Sequence, residues 1–131
     1  MRYLADTQIL LWSFNQPHRL SPHVATILGD EDASVYYSPV SIWEIAIKYR
    51  LGKLDLCGHT PEEFALELEN SFYRRKELSD ACLASSYRLP RHHKDPFDRM
   101  LFWEAITSDF VLLSADGASN LYHAEGLQVI H

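Results

Sequence analysis

Short apolar segments rich in β-formers alternate with segments of helical periodicity along the whole chain, and this alternation leaves few folds open. Residues 2–5 (RYLA), 34–37 (SVYY), 110–113 (FVLL) and 127–130 (LQVI) read as strands, with a very short fifth one expected at Glu77-Leu78. Helices are expected at 7–14, from Ser21-Pro22 to about Leu28, after Ser41, after Thr60, from Ser79 to about Tyr87, and after Asp95. No Asn-Gly or similar two-residue turn lies between adjacent strands, so hairpins are not signalled. FVLL is apolar without alternation, as in a strand covered on both faces. The pattern predicts an α/β fold, a three-layer α/β/α sandwich around a short parallel sheet. At 131 residues, with no linker, repeat or low-complexity tract, residues 1–131 are expected to form one domain.

Local chemistry sharpens several boundaries. Ser21-Pro22 places a cap before Pro at the first helical position. Ser41-Ile-Trp-Glu44 and Thr60-Pro-Glu-Glu63 both have the capping-box form. Ile42, Ile45, Ala46 and Tyr49 recur at helical spacing and predict one buried face, ended by Gly52. Phe64, Leu68 and Phe72 extend the next helix, and Phe97, Met100, Leu101 and Ala105 mark the last.

In an open parallel sheet, ligands bind outside the carboxyl ends of the strands. Four acids map to that edge. Asp6 follows the first strand, Glu44 lies early in the helix entered from the second, Asp98 opens its own helix, and Asp116 follows FVLL by two residues. Each has an ordinary structural reading as a cap, a dipole partner or a turn former. Together, four carboxylates at one edge would repel one another unless a cation shared them. Mg²⁺ takes oxygen ligands, commonly one or two carboxylates plus substrate phosphate. Such a site suits phosphodiester hydrolysis, with the ion activating water and offsetting phosphate charge. Thr7 and Ser114 stand beside this edge and are candidates for orienting an acid or the phosphate.

The motifs around these acids resemble the PIN domain, and within it the VapC-type toxins of bacterial type II toxin–antitoxin pairs. Asp6-Thr-Gln-Ile-Leu-Leu-Trp12 is similar to the D-T-x-x-L-L-W start of that group. Ser41-Ile-Trp-Glu-Ile-Ala-Ile-Lys48 followed by Arg50-Leu-Gly-Lys-Leu54, Asp95-Pro-Phe-Asp-Arg-Met-Leu101 and Leu112-Leu-Ser-Ala-Asp116 follow in family order. The resemblance spans nearly the whole chain. It implies a PIN-like α/β/α sandwich and a Mg²⁺- or Mn²⁺-dependent endoribonuclease. Its acidic quartet falls on Asp6, Glu44, Asp98 and Asp116, as catalytic residues and metal ligands. It also implies a homodimer, held inactive by a cognate antitoxin whose C-terminal segment wraps the toxin, with promoter DNA bound only through the antitoxin. Ser114 stands where the family often has Thr, and Phe102-Trp103-Glu104 replaces a smaller run.

Charge and composition exclude other classes. Twelve basic against eighteen acidic residues give −6, so a basic DNA-binding module is not indicated. The densest basic stretch, His92-His93-Lys94 beside Arg88 and Arg91, is a candidate for touching the RNA backbone. Adjacent histidines cannot share one helix face, which argues against zinc. Tyr73-Arg74-Arg75-Lys76 is expected to be a solvated loop, Lys48 an ion-pair partner of Glu44, and Arg99 a surface or partner-contact charge. Trp12, Trp43 and Trp103 are expected in the core or at a dimer interface. Cys57 and Cys82 fit no disulfide scaffold or zinc spacing and are expected to be free thiols. No apolar run exceeds four residues, so no membrane segment or signal peptide is indicated and a cytoplasmic location is expected. The competing readings are a metal-dependent DNA or 5′-end nuclease and a catalytically silent PIN-like interaction module.

Overall fold

A computed structural model describes all 131 residues. Five strands, β1 (Arg2–Ala5), β2 (Ser34–Tyr37), β3 (Arg74–Arg75), β4 (Val111–Leu113) and β5 (Gln128–Ile130), form one sheet in the order β3-β2-β1-β4-β5. Every pairing is parallel. The helices are α1 (Thr7–Asn15), α2 (Pro22–Leu28), α3 (Pro39–Arg50), α4 (Pro61–Glu69), α5 (Asp80–Ser85) and α6 (Pro96–Ser108). Short 3₁₀ segments run over Pro17–Arg19, Ser86–Arg88 and Gly117–Glu125. No helix is long and apolar enough to cross a membrane.

Register sorts the strand side chains into two layers. Leu4 is level with Tyr36 and Leu112, and Leu112 with Val129. These pack with Leu101, Phe102, Ala105 and Tyr122 on one face. Ala5, Tyr37, Leu113 and Ile130 point the other way, among Ile9, Leu10, Val24, Phe64 and Leu68. Burying a leucine such as Leu4, Leu10, Leu101 or Leu112, none with exposed surface, contributes about 1.5–3 kcal/mol each. The sandwich predicted from strand–helix alternation is therefore present.

Capping residues set most helix starts. Asp6, Ser21, Thr60, Ser79 and Asp95 each accept a main-chain N–H of the helix they open, and Thr60 with Glu63 completes a capping box. At α3 the expectation fails. That helix starts one turn earlier, with Ser38 accepting from Val40 N and Pro39 at its first position. Ser41 and Glu44 thus lie inside the helix, buried, with no capping role. The buried stripe is Val40, Ser41, Glu44 and Ile45, while Ile42 is half-buried and Ala46 and Tyr49 are exposed, because a polar pair occupies positions the apolar pattern could not reveal.

Three other expectations are corrected. The fifth strand is not Glu77-Leu78 but β3, so the Arg74-Arg75 run is an edge strand rather than a loop. Lys76 follows it, buried, with its N–H on Tyr37 O at 2.8 Å and its ammonium 3.5 Å from Glu104 Oε1. Phe72 lies beyond the end of α4, 58% exposed. Of the two places expected for Trp43, the core is excluded: it is on the surface, at 62% exposure, edge-on to Phe97.

Candidate active site

Strands leave β1 in opposite directions: β2 and β3 to one side, β4 and β5 to the other. The crevice between the carboxyl ends of β1 and β4 is the switch point where such sheets bind ligands. A cleft of about 430 Å³ opens there, lined by Asp6, Glu44, Asp98 and Asp116 together with Thr7, Gln8, Trp12, Lys48 and Lys53. The four acids marked in the sequence, more than a hundred residues apart at their extremes, share one pocket.

Asp6 leaves β1 directly into α1. Its Oδ1 accepts from Ile9 N at 2.8 Å and its Oδ2 from Ala115 N at 3.1 Å. It therefore caps α1 and also ties the loop after β4 to β1. Burial pushes its carboxyl up to about 6, against the opposing pull of those N–H groups and the Ser114 hydroxyl, and Asp98 adds repulsion. Asp98 sits in the first turn of α6, one turn past its cap Asp95. Burial raises its pKa, and Asp95 and Glu44 add to the rise, while a hydrogen bond to His93 opposes it.

Glu44 is 3% exposed. Its Oε1 accepts from the Thr7 hydroxyl at 2.6 Å and its Oε2 is paired with the Lys48 ammonium. Desolvation alone would lower the Lys48 pKa, but Glu44, with Asp95 and Asp98, carries it net upward. Asp116 is the most open of the four. Its Oδ1 accepts from Ala118 N and so caps the segment 117–125. Ser114 is buried just below, its Oγ accepting from Asp116 N at 3.0 Å, so it shapes the turn that presents Asp116.

The two histidines part company. His93 Nε2 lies 2.9 Å from Asp98 Oδ2 and 3.9 Å from Asp116 Oδ2. His92 turns away to Glu125 and the Tyr122 ring, outside the pocket. Arg99 is no surface charge. It reaches the carbonyls of Leu89 and Pro90, both at 3.0 Å, and also His93 O and the Tyr122 hydroxyl, so it laces the 89–93 loop to α6.

Two groups of ligating atoms lie close enough to hold an ion, each within 4.8 Å: His93, Asp98 and Asp116, and Glu44, Asp95 and Asp98. Asp98 belongs to both, and Asp6 to neither, its two oxygens being turned onto main-chain N–H groups. Lys53 lines the cleft and Asp95 lies within ligating distance of Glu44 and Asp98, and neither placement is legible in the sequence. Asp95 carried only a capping signal, and the loop bearing Lys53 has no periodicity to orient it. Four carboxylates face two lysines, a formal lining charge of −2, which a divalent cation would neutralise. The hard oxygen donors fit such an ion.

Comparison with known proteins bears on the fold and the family. No curated protein matches the chain. Among solved structures, VapBC2 from Rickettsia felis, bound to a DNA fragment from their promoter, shares 17% identity over 99% of this chain and 98% of that one, with a TM-score of 0.69. VapBC-1 from nontypeable Haemophilus influenzae shares 17% over 99% and 97%, at 0.65. FitAcB from Neisseria gonorrhoeae shares 19% over 98% and 96%, at 0.56. These likenesses are of fold. The family profile described as PIN domain matches residues 3–125, nearly the full length, and the chain belongs to the PIN domain family.

Proposed function

We propose that this protein is the toxin of a type II toxin–antitoxin pair, an endoribonuclease that hydrolyses RNA phosphodiester bonds with Mg²⁺ or Mn²⁺. The observation that supports this most strongly is the convergence of Asp6, Glu44, Asp98 and Asp116 in one cleft at the switch point of a PIN fold. Asp98, Asp116, Glu44 and Asp6 would hold the metal directly or through water, which when bound offsets phosphate charge and activates water. Thr7 and Lys48 fix both oxygens of Glu44, so its position is set before substrate arrives. Lys53 on the cleft wall supplies a cation for a non-bridging phosphate oxygen. Ser114 acts on the shape of the Asp116 turn.

The solved relatives VapBC2 and FitAB are two-component assemblies seen with DNA, which supports a cognate antitoxin as partner here, with promoter DNA engaged through that antitoxin. A homodimer fits the exposed Trp43 and the apolar groove it borders with Pro39, Val40, Leu78, Phe97 and Met100. Light scattering reads the oligomeric state directly, and a monomer at micromolar concentration would contradict the dimer.

The deciding experiment is brief induction without the partner, with sequencing of RNA 5′ ends, for wild type and Asp98→Asn. Growth arrest with new RNA ends in the wild type alone is expected. Unchanged RNA with a folded, metal-supplied protein would overturn the reading, and nicked DNA in its place would favour a DNA nuclease.

A further inference from the structure

We propose that His93 is a nitrogen ligand of the metal ion held by Asp98 and Asp116, and that it biases this position toward Mn²⁺ over Mg²⁺. The inference rests on the metal reading of the pocket. Its first support is spacing. Ligands at about 2.1 Å from an octahedral ion stand about 3.0 Å apart when adjacent and about 4.2 Å apart when opposite. His93 Nε2 is 2.9 Å from Asp98 Oδ2, close to the adjacent-ligand spacing, and 3.9 Å from Asp116 Oδ2, between the adjacent and opposite spacings.

The second support is how the histidine is held. The His93 N–H donates to the Tyr122 hydroxyl at 2.9 Å, and Tyr122 has no exposed surface. On the other side of the same residue, Arg99 takes the His93 carbonyl along with those of Leu89 and Pro90. A main chain tied on both sides delivers the imidazole to one place, between carboxylates carried by two different segments. A simple ion pair with Asp98 would not require the second carboxylate or the clamp. Adjacent His92, lacking that placement, faces Glu125 and serves as an internal control.

The third support is donor chemistry. Glu44, Asp95 and Asp98 offer oxygen only, which suits Mg²⁺. Adding an imidazole to Asp98 and Asp116 favours a transition ion that accepts nitrogen.

The test uses the full chain loaded with substoichiometric Mn²⁺. Pulsed electron paramagnetic resonance should detect a coordinated histidine nitrogen, identified by ¹⁵N-histidine labelling. That signal should persist in His92→Gln and vanish in His93→Gln. In calorimetric titrations His93→Gln should weaken MnCl₂ binding about tenfold or more, the scale of lost metal-site contacts, and MgCl₂ binding far less. Should His93→Gln fail to fold, the wild type still decides: Mn²⁺ must selectively broaden the His93 ring protons in nuclear magnetic resonance spectra, leaving those of His18, His23 and His59. Bound Mn²⁺ without a histidine nitrogen, or a signal that survives in His93→Gln, overturns the proposal and leaves the nuclease reading standing. No binding of either metal to the wild type overturns both.

Discussion

The Thr7 hydroxyl and the Glu44 carboxylate, from the first turn of α1 and the interior of α3, meet at 2.6 Å inside the acidic cleft. Ser41 Oγ lies 2.9 Å from Thr7 Oγ1. Thr7 has one hydroxyl proton, and the carboxylate attracts it most strongly, so Ser41 donates to Thr7 in turn. Lys48 completes the chain on the other oxygen of Glu44. These bonds join two helices that line the acidic cleft and hold a buried charge that would otherwise be costly.

Thr7→Val should therefore lower stability by about 1–3 kcal/mol, because it leaves a buried carboxylate oxygen without its donor. Thr7→Ser, which keeps the hydroxyl, should stay near wild type. Denaturant unfolding compares the three proteins, and RNA cleavage should fall in the valine variant alone.

Asp6 makes stability depend on pH in a defined direction. Its folded pKa, about 6, lies above its ordinary value of 3.8, so the folded chain binds that proton more tightly. The stabilisation is full below about pH 4 and is lost as pH rises through about 6, a change of about 3 kcal/mol. Asp6→Asn cannot titrate. Melts without metal should show its stability gaining on the wild type across that window, and a constant difference from pH 4 to 7 would contradict the assignment.

Lys76 and Glu104 form a buried ion pair beneath β2. Glu104 Oε2 accepts from Ser38 at 2.7 Å and Oε1 has the Lys76 ammonium at 3.5 Å, with burial raising the Glu104 pKa. Lys76→Met should cost about 3–5 kcal/mol by stranding a buried carboxylate, while Lys76→Met with Glu104→Leu should recover most of that. A double-mutant cycle by chemical denaturation measures the difference.

Arg99 should prove structural. Arg99→Lys keeps the charge but loses the planar fork that reaches the Leu89, Pro90 and His93 carbonyls. Hydrogen exchange in the 89–94 loop should accelerate at least about tenfold, equivalent to about 1.4 kcal/mol of lost local protection, with the strands β1 and β4 unaffected.

Much of the pocket's composition is legible in the sequence. Strand–helix alternation implied the layered parallel sheet. Caps at Asp6, Ser21, Thr60 and Asp95 act within three residues of their partners, so composition at those positions decides them. The acids were legible for the same reason: each follows a strand or opens a helix, and parallel strands deliver all such ends to one edge. The start of α3 is not legible locally because Ser38-Pro39 and Ser41-x-x-Glu44 are both plausible starts, and the tertiary pairing of Glu44 with Thr7 separates them. Strand β3 is not legible because its two exposed arginines carry no apolar alternation.

The sequence by itself determined the layer architecture, most helix starts and the identity of the four pocket acids, since those follow from periodicity and capping over a few neighbouring residues. Tertiary structure alone decided the strand order, the parting of His93 from His92, the clamp of Arg99 on the 89–93 loop, and the joining of Asp95 to Glu44 and Asp98. These depend on which helix crosses to which side of the sheet. Contacts such as Ala115 N to Asp6, 109 residues apart, form only after both layers have packed, and no local preference encodes them.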